Sequence, residues 1–224
     1  MEELDLSEPF IIENGGALMI PAGHPLQQGE VKDACQEIAL STDVTELAEW
    51  LTTICETEGF KLQSMLDMSI QEIMEYTGLE PGEAERAALR RYTIPLIWQD
   101  DMERLDEFTK LVHAQGWRLL KGGRFYHLQG QTDKSRAMQE CIRMYEDQGG
   151  EDVISIALGD SANDQGMLEQ CDFAVVIPQK KGNYLQLSRK DGVFIASHPG
   201  PKGWKEGLLS ILKLIQDNKR MPNE

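Results

Sequence analysis

At 224 residues the chain is long enough for one large domain or two small ones with real hydrophobic cores. Hydrophobic residues make up 41% and charged residues 27%, and 38 Asp plus Glu against 22 Lys plus Arg leave a formal charge of −16. That balance argues against non-specific nucleic-acid binding and against docking on an anionic membrane, both of which need clustered Lys and Arg. An anionic small molecule could still bind, but only in a local basic pocket set against the global field.

The four cysteines, Cys35, Cys55, Cys141 and Cys171, show no CxxC spacing and no nearby histidines. They are expected to be small buried hydrophobes in a reducing compartment. No apolar run reaches the length of a membrane span and no basic-then-apolar leader opens the chain, so a cytoplasmic protein is expected.

In chain order, Pro9–Ile12 predicts a strand, Glu13-Asn14-Gly15-Gly16 a tight hairpin turn, and Ala17–Pro21 a second strand. From about Glu30 the character changes to acidic amphipathic helices. Thr42–Glu58 carries Val44, Leu47, Ala48, Leu51 and Ile54 close to helical period. Ser69–Thr77 is a short helix with Ser69 and Glu72 at capping-box spacing, and Pro81–Arg91 is another, with Pro81 in its first turn. Thr93–Trp98 is strand-like, with Pro95 favouring an edge. A helix over Asp100–Gln115 and strands at Trp117–Lys121 and Arg124–Leu128, joined by Gly122-Gly123, complete a small α+β module. That module is expected at residues 26–128, inserted into a parallel-sheet core made of residues 1–25 and 129–224.

The core is expected to resume with a helix from Thr132 to Asp147, capped by Thr132 and Asp133. Val153–Leu158 is an apolar, β-rich segment that predicts a buried parallel strand. After it come a short helix at Gln165–Cys171 and strands at Phe173–Ile177 and Val193–Ala196. A closing helix over Trp204–Asn218 would turn Leu208, Leu209, Ile211, Leu212 and Ile215 inward.

Between the 153–158 strand and its helix lies Gly159-Asp160-Ser161-Ala162-Asn163-Asp164. Asp, Asn, Ser and Gly are each ordinary turn formers. Together they set two carboxylates and an amide at the carboxyl end of a strand, where open α/β sheets hold ligands. Mg²⁺ takes oxygen ligands from one or two carboxylates plus substrate phosphate, so the loop is expected to hold a metal and a phosphate.

Lys134 opens the helix after Asp133, at the end whose dipole is positive. It is either a solvated surface lysine or part of an anion site with the helix N–H groups. Gly122-Gly123-Arg124 is either a plain hairpin with an exposed Arg or a close approach to a ligand, with the guanidinium forking onto carboxylate or phosphate. Arg90-Arg91 is expected to complement a helix end, and His127 to be packed. Trp98 and Trp204 are expected in the core or at its rim.

These residues resemble a family. Gly159–Asp164 with Asp133-Lys134 is similar to the third and fourth motifs of the haloacid dehalogenase (HAD) superfamily of phosphatases. Glu13-Asn14-Gly15-Gly16 resembles the lead into the α+β cap of its Cof-like branch. Gly122–Leu128, Pro95–Trp98 and Gly200-Pro201-Lys202-Gly203-Trp204 narrow the resemblance to the mannosyl-3-phosphoglycerate phosphatases.

The resemblance implies an α/β fold: an HAD-like Rossmannoid parallel-sheet core, incomplete at its amino-terminal side, with an inserted α+β cap. It implies Mg²⁺-dependent hydrolysis of a phosphorylated sugar-glycerate, releasing mannosylglycerate. Asp160 would be a metal ligand, Asn163 and Asp164 would hold the phosphate region and orient Lys134, and Lys134 would neutralise the phosphoryl group. Gly122, Gly123 and Arg124 would grip the phosphoglycerate part. The family's Asp-x-Asp-Gly-Thr segment, which supplies nucleophile and general acid–base, occurs nowhere in the chain. This chain alone is therefore expected to be inactive. Glucosyl-3-phosphoglycerate, another sugar phosphate, or a non-catalytic binding or dimerising role remain alternatives. The sequence is silent on oligomeric state.

Overall fold

A computed structural model describes residues 7–30, 33–131, 133–149, 153–180 and 182–219, and the chain divides into two compact units, Met1–Thr132 and Asp133–Glu224. Among the described residues no helix is long and apolar enough to cross a membrane. Cys55 and Cys141 are half-buried and Cys171 is buried, all as free thiols whose pKa burial pushes up.

The first unit opens with β1 (Phe10–Ile12), β2 (Ala17–Pro21) and β3 (Cys35–Ala39), an antiparallel sheet in the order β1-β2-β3. The expected turn is there, with positive φ at Glu13 (48°), Asn14 (56°) and Gly15 (101°). Asn and Gly adopt that region cheaply, whereas Glu needs a reason. Its reason is tertiary: the Glu13 carboxylate accepts hydrogen bonds from Arg91 N (2.8 Å), Tyr92 N (3.0 Å) and Thr93 Oγ1 (2.6 Å). β3 lies where helices were expected to begin. Pairing with β2 over its whole length overrides the weak local preference of this short segment.

After β3 come α1 (Val44–Glu58), β4 (Leu62–Ser64), α2 (Ile70–Thr77) and α3 (Pro81–Ala88). Then follow β5 (Thr93–Trp98), α4 (Met102–Ala114), β6 (Arg118–Lys121) and β7 (Tyr126–Gln129). The capping box is formed, Ser69 N donating to Glu72 Oε2 at 2.7 Å and Glu72 N to Ser69 Oγ at 3.3 Å.

The antiparallel sheet runs β4-β5-β7-β6, so β5 is interior and the edge position expected for Pro95 is not where it sits. The proline is tolerated because the β4 ladder covers only Leu96–Trp98, leaving β7 as the sole neighbour at Pro95. Helices α1 and α4 cover the sheet through Leu47, Leu51, Phe108 and Val112 against Ile94, Leu96 and Leu128. Trp98 packs on Phe60 and Phe108 at ring-centroid distances of 5.8 and 5.4 Å.

The second unit contains α5 (Lys134–Asp147), β8 (Ile156–Gly159), a 3₁₀ turn at Ala162–Asp164 and α6 (Gln165–Gln170). It continues with β9 (Phe173–Val176), β10 (Val193–Ile195) and α7 (Gly200–Lys219). Asp133 caps α5 by accepting from Ser135 N (3.0 Å) and Arg136 N (3.1 Å); Thr132, the other expected cap, lies outside the described residues.

The sheet is parallel, in the order β10-β9-β8. Period-2 alternation serves two faces: Ala157 and Ala174 pack with Leu168 of α6, while Val175 packs with Ile211 of α7. Full burial of a side chain such as Leu168 or Val175 stabilises the unit by roughly 1.5–3 kcal/mol. β8 starts later than expected because Ser155 N and Oγ donate to the Asp172 carboxylate (2.8 and 2.6 Å), and β8 has only β9 beside it among the described residues.

The inward face of α7 differs from expectation. Ile211 and Ile215 do turn to the sheet, but Leu208, Leu209 and Leu212 are between 37% and 55% exposed, as is Trp204. The line of contact runs through Gly203, Gly207 and Ile211, one helical turn apart. A Cβ on Gly207 would lie 3.1 Å from Val175 Cγ2 and nearer still to Cγ1. Bare backbone is therefore what brings α7 down onto β9.

Candidate active site

The loop after β8 is built around Asp164. Its Oδ1 accepts a hydrogen bond from Lys134 Nζ at 2.6 Å. Its Oδ2 accepts from Asp160 N (3.2 Å), Ser161 N (3.2 Å) and Ser161 Oγ (2.9 Å). The Asp164 side chain is 8% exposed and that of Lys134 is 30% exposed. Burial pushes the Asp164 carboxyl up, but the hydrogen bonds from Lys134 and Ser161 and the lysine's charge outweigh it. The pKa is therefore held below the ordinary carboxylate value.

Gly159 makes this possible. A Cβ there would fall 2.8 Å from Asp164 Cγ and 2.9 Å from Oδ2, so no other residue leaves room for the carboxylate. The loop is tied to β9 by Ile177 N, which donates to Gly159 O at 2.8 Å, and by Gln179 Nε2, which donates to Asp160 O at 3.1 Å.

Asp160 is exposed, and its carboxylate makes no hydrogen bond or ion pair among the described residues. Exposed Asn163 accepts a 2.5 Å hydrogen bond from Ser161 Oγ through Oδ1. No group of three His, Cys, Asp or Glu side chains converges on a common point among the described residues. A Mg²⁺ ion here would draw on the Asp160 carboxylate, with water and ligand oxygens completing its shell, a donor set that this ion accepts. Asp164 is committed to Lys134 and Ser161. The residues present thus fit one carboxylate ligand, with Lys134 joined to the same loop through Asp164.

Four of the residues singled out by sequence, Lys134, Asp160, Asn163 and Asp164, are thereby brought together in the second unit. The other three lie in the first unit. Gly122 N donates to Phe125 O at 2.8 Å, closing the β6–β7 turn, and Gly123 has open space where a Cβ would be. Arg124 Nη1 donates to Tyr76 O at the end of α2, so its fork is partly committed to backbone. Arg91 does not complement a helix end: it pairs with Glu37 (2.6 Å) and Asp43 (3.7 Å). Ser161, which holds both Asp164 and Asn163, was not singled out by sequence. Its capping-box spacing to Asp164 was the available signal.

The chain is 34% identical over 219 residues to a glucosyl-3-phosphoglycerate/mannosyl-3-phosphoglycerate phosphatase of Persephonella marina, covering 96% of this chain and 80% of that protein. It belongs to this phosphatase family. A Methanococcoides burtonii protein of the same name is 31% identical over 223 residues, covering 95% and 79%. About a fifth of each relative's length has no counterpart in the aligned region. No family model matches the chain.

Among solved structures, the Thermoplasma acidophilum protein 0175 superposes with a TM-score of 0.56 at 15% identity, over 95% of this chain and 74% of that one. A haloacid dehalogenase-like hydrolase from B. subtilis superposes with a TM-score of 0.50 at 16% identity, over 95% and 81%. The α/β fold is that of the HAD-like hydrolases, as the residue resemblance implied.

Proposed function

We propose that the second unit binds the phosphoryl end of a sugar-linked 3-phosphoglycerate and is the phosphate-handling half of a phosphatase that releases the sugar-glycerate. The observation that carries this reading is the Lys134–Asp164 ion pair at the end of β8 with the unpaired Asp160 beside it. Lys134, held in place by Asp164, presents an ammonium to a phosphoryl group in a strongly acidic chain. Asn163 contributes its amide to the same ligand. Bound Mg²⁺, held through Asp160, would supply charge neutralisation for the phosphoryl oxygens. Catalysis of this class is mainly positioning and charge stabilisation, and this loop is built for both. Gly122, Gly123 and Arg124 would contact the glycerate part. The same reading takes residues 26–128 as the cap and 129–224, with 1–25, as the hydrolase core, in the cytoplasm.

Both relatives are named for two substrates, which favours testing mannosyl- and glucosyl-3-phosphoglycerate side by side. Hydrolysis also needs a nucleophile, and the Asp-x-Asp-Gly-Thr segment that the resemblance assigns to that task is absent from these 224 residues. The expectation is Mg²⁺-dependent binding of the substrates, seen by calorimetry, without appreciable phosphate release from this chain. Absence of any Mg²⁺-dependent binding would sink the functional reading. Turnover at the rate of a relative containing the motif would sink the assignment of the nucleophile.

A further inference from the structure

The parallel ladder between β8 and β9 stops where the Asp160 loop begins. Phe173 N donates to Ser155 O at 3.0 Å and Ile177 N donates to Gly159 O at 2.8 Å. Gln179 N would be the next donor in this evenly spaced series, with Ser161 O as its acceptor. Both are diverted. Gln179 N donates to Asn183 O at 2.7 Å, and Gly182 N donates back to Gln179 O at 2.8 Å, in a turn where Gly182 takes a φ of 82°. Ser161 O accepts from Asp164 N at 2.9 Å.

The side chain of Gln179 takes up where the ladder ends. Its Nε2 donates to Asp160 O at 3.1 Å, while Asp160 N donates to Asp164 Oδ2 at 3.2 Å. The main chain of Asp160 is therefore held on both sides, from the loop after β9 and from within its own loop. Its carboxylate is left exposed, with no hydrogen bond or ion pair among the described residues. Only two torsions separate an Asp carboxylate from its backbone, so fixing the backbone fixes most of where the oxygens can reach. Gln179 is itself exposed, and water can replace its amide on the carbonyl. What the bond supplies is direction, and little stability.

We propose that Gln179 is a positioning residue for Asp160, aiming its carboxylate at a bound divalent cation. The assignment rests on the reading of Asp160 as a metal ligand given above. Groups that orient metal ligands contribute about tenfold to a hundredfold in metal affinity, and an exposed amide acting through the main chain falls at the lower end. Lys134 is anchored separately, through Asp164 Oδ1 at 2.6 Å. Gln179 should thus act on the metal and leave metal-free phosphate binding alone.

The experiment uses the full chain with Mn²⁺ as probe, an ion that carboxylate and water oxygens suit, followed by the resonance signal of the free ion. Gln179→Met keeps the side-chain length and removes the donor. It should weaken Mn²⁺ by about tenfold, with the urea midpoint of the second unit and the binding of inorganic phosphate without metal both unchanged. Gln179→Asn, one methylene short of the carbonyl, should weaken Mn²⁺ as well. Asp160→Asn should weaken it further than either.

Unchanged Mn²⁺ affinity in Gln179→Met, with Asp160→Asn still impaired, overturns the proposal and leaves Asp160 as the ligand. Loss of metal-free phosphate binding in parallel with Mn²⁺ overturns it too, because the variant has then damaged the loop as a whole. Asp160→Asn binding Mn²⁺ as tightly as the unmodified chain removes the metal reading itself, and the role of Gln179 with it.

Discussion

Gly159→Ala tests whether the loop depends on the fit between β8 and the Asp164 carboxylate. The added methyl would lie 2.8 Å from Asp164 Cγ and 2.9 Å from Oδ2, and nearer still to Cβ. Asp164 cannot simply rotate away, because Lys134 and Ser161 fix both of its oxygens. Overpacking of this kind costs about 1–3 kcal/mol. If the carboxylate is expelled, a charge-assisted bond worth about 1.5–3 kcal/mol is lost as well. The expected destabilisation of the second unit is therefore about 1–6 kcal/mol, from the smallest overpacking cost alone to the sum of both terms. Gly123→Ala is the control, since nothing lies within 4 Å of its Cβ position and the change should stay within about 0.5 kcal/mol. Urea unfolding followed by circular dichroism gives the magnitude, and amide hydrogen exchange at Ala157 and Val175 localises it. A Gly159→Ala chain as stable as Gly123→Ala would refute the packing argument.

The Asp164 carboxyl is held below its unfolded value of 3.8, so the stability it confers is fully present above that pH and is lost as pH falls through the lower folded value. Asp164→Asn should remove this dependence and flatten the acid limb of the second unit's stability, measured by urea midpoints across acidic pH; an unchanged limb would count against the pair. Asp160→Asn should lower Mg²⁺-dependent phosphate binding by at least about tenfold while leaving stability within about 0.5 kcal/mol, because the exposed carboxylate holds no structural bond. Equal binding by calorimetry would remove Asp160 from the metal site. Glu13→Ala deletes three acceptor contacts, each worth about 0.5–1.5 kcal/mol, and should destabilise the first unit by about 1.5–4.5 kcal/mol in urea unfolding.

How much of this was legible in the chain depended on whether a residue's partners are close in sequence. Gly159–Asp164 could be read because its logic is largely local: Asp164 is bonded by Ser161 within the same few residues, and only Lys134 comes from far off, 30 residues away. The capping box at Ser69 and Glu72 was legible for the same reason.

The inward face of α7 was misread because hydropathy marks a wide apolar arc. What selects the contact line within that arc is two glycines with no hydropathy signal of their own. Pro95 was misread because whether a strand position is an edge depends on where its neighbour stops, and β4 stops at Ser64. Arg90 is the extreme case. Arg90 and Arg91 are chemically identical neighbours, and only the fold shows that Glu37 and Asp43 pair with one while the Nε of the other is buried without a hydrogen-bond partner. A missing partner has no signature in a linear sequence.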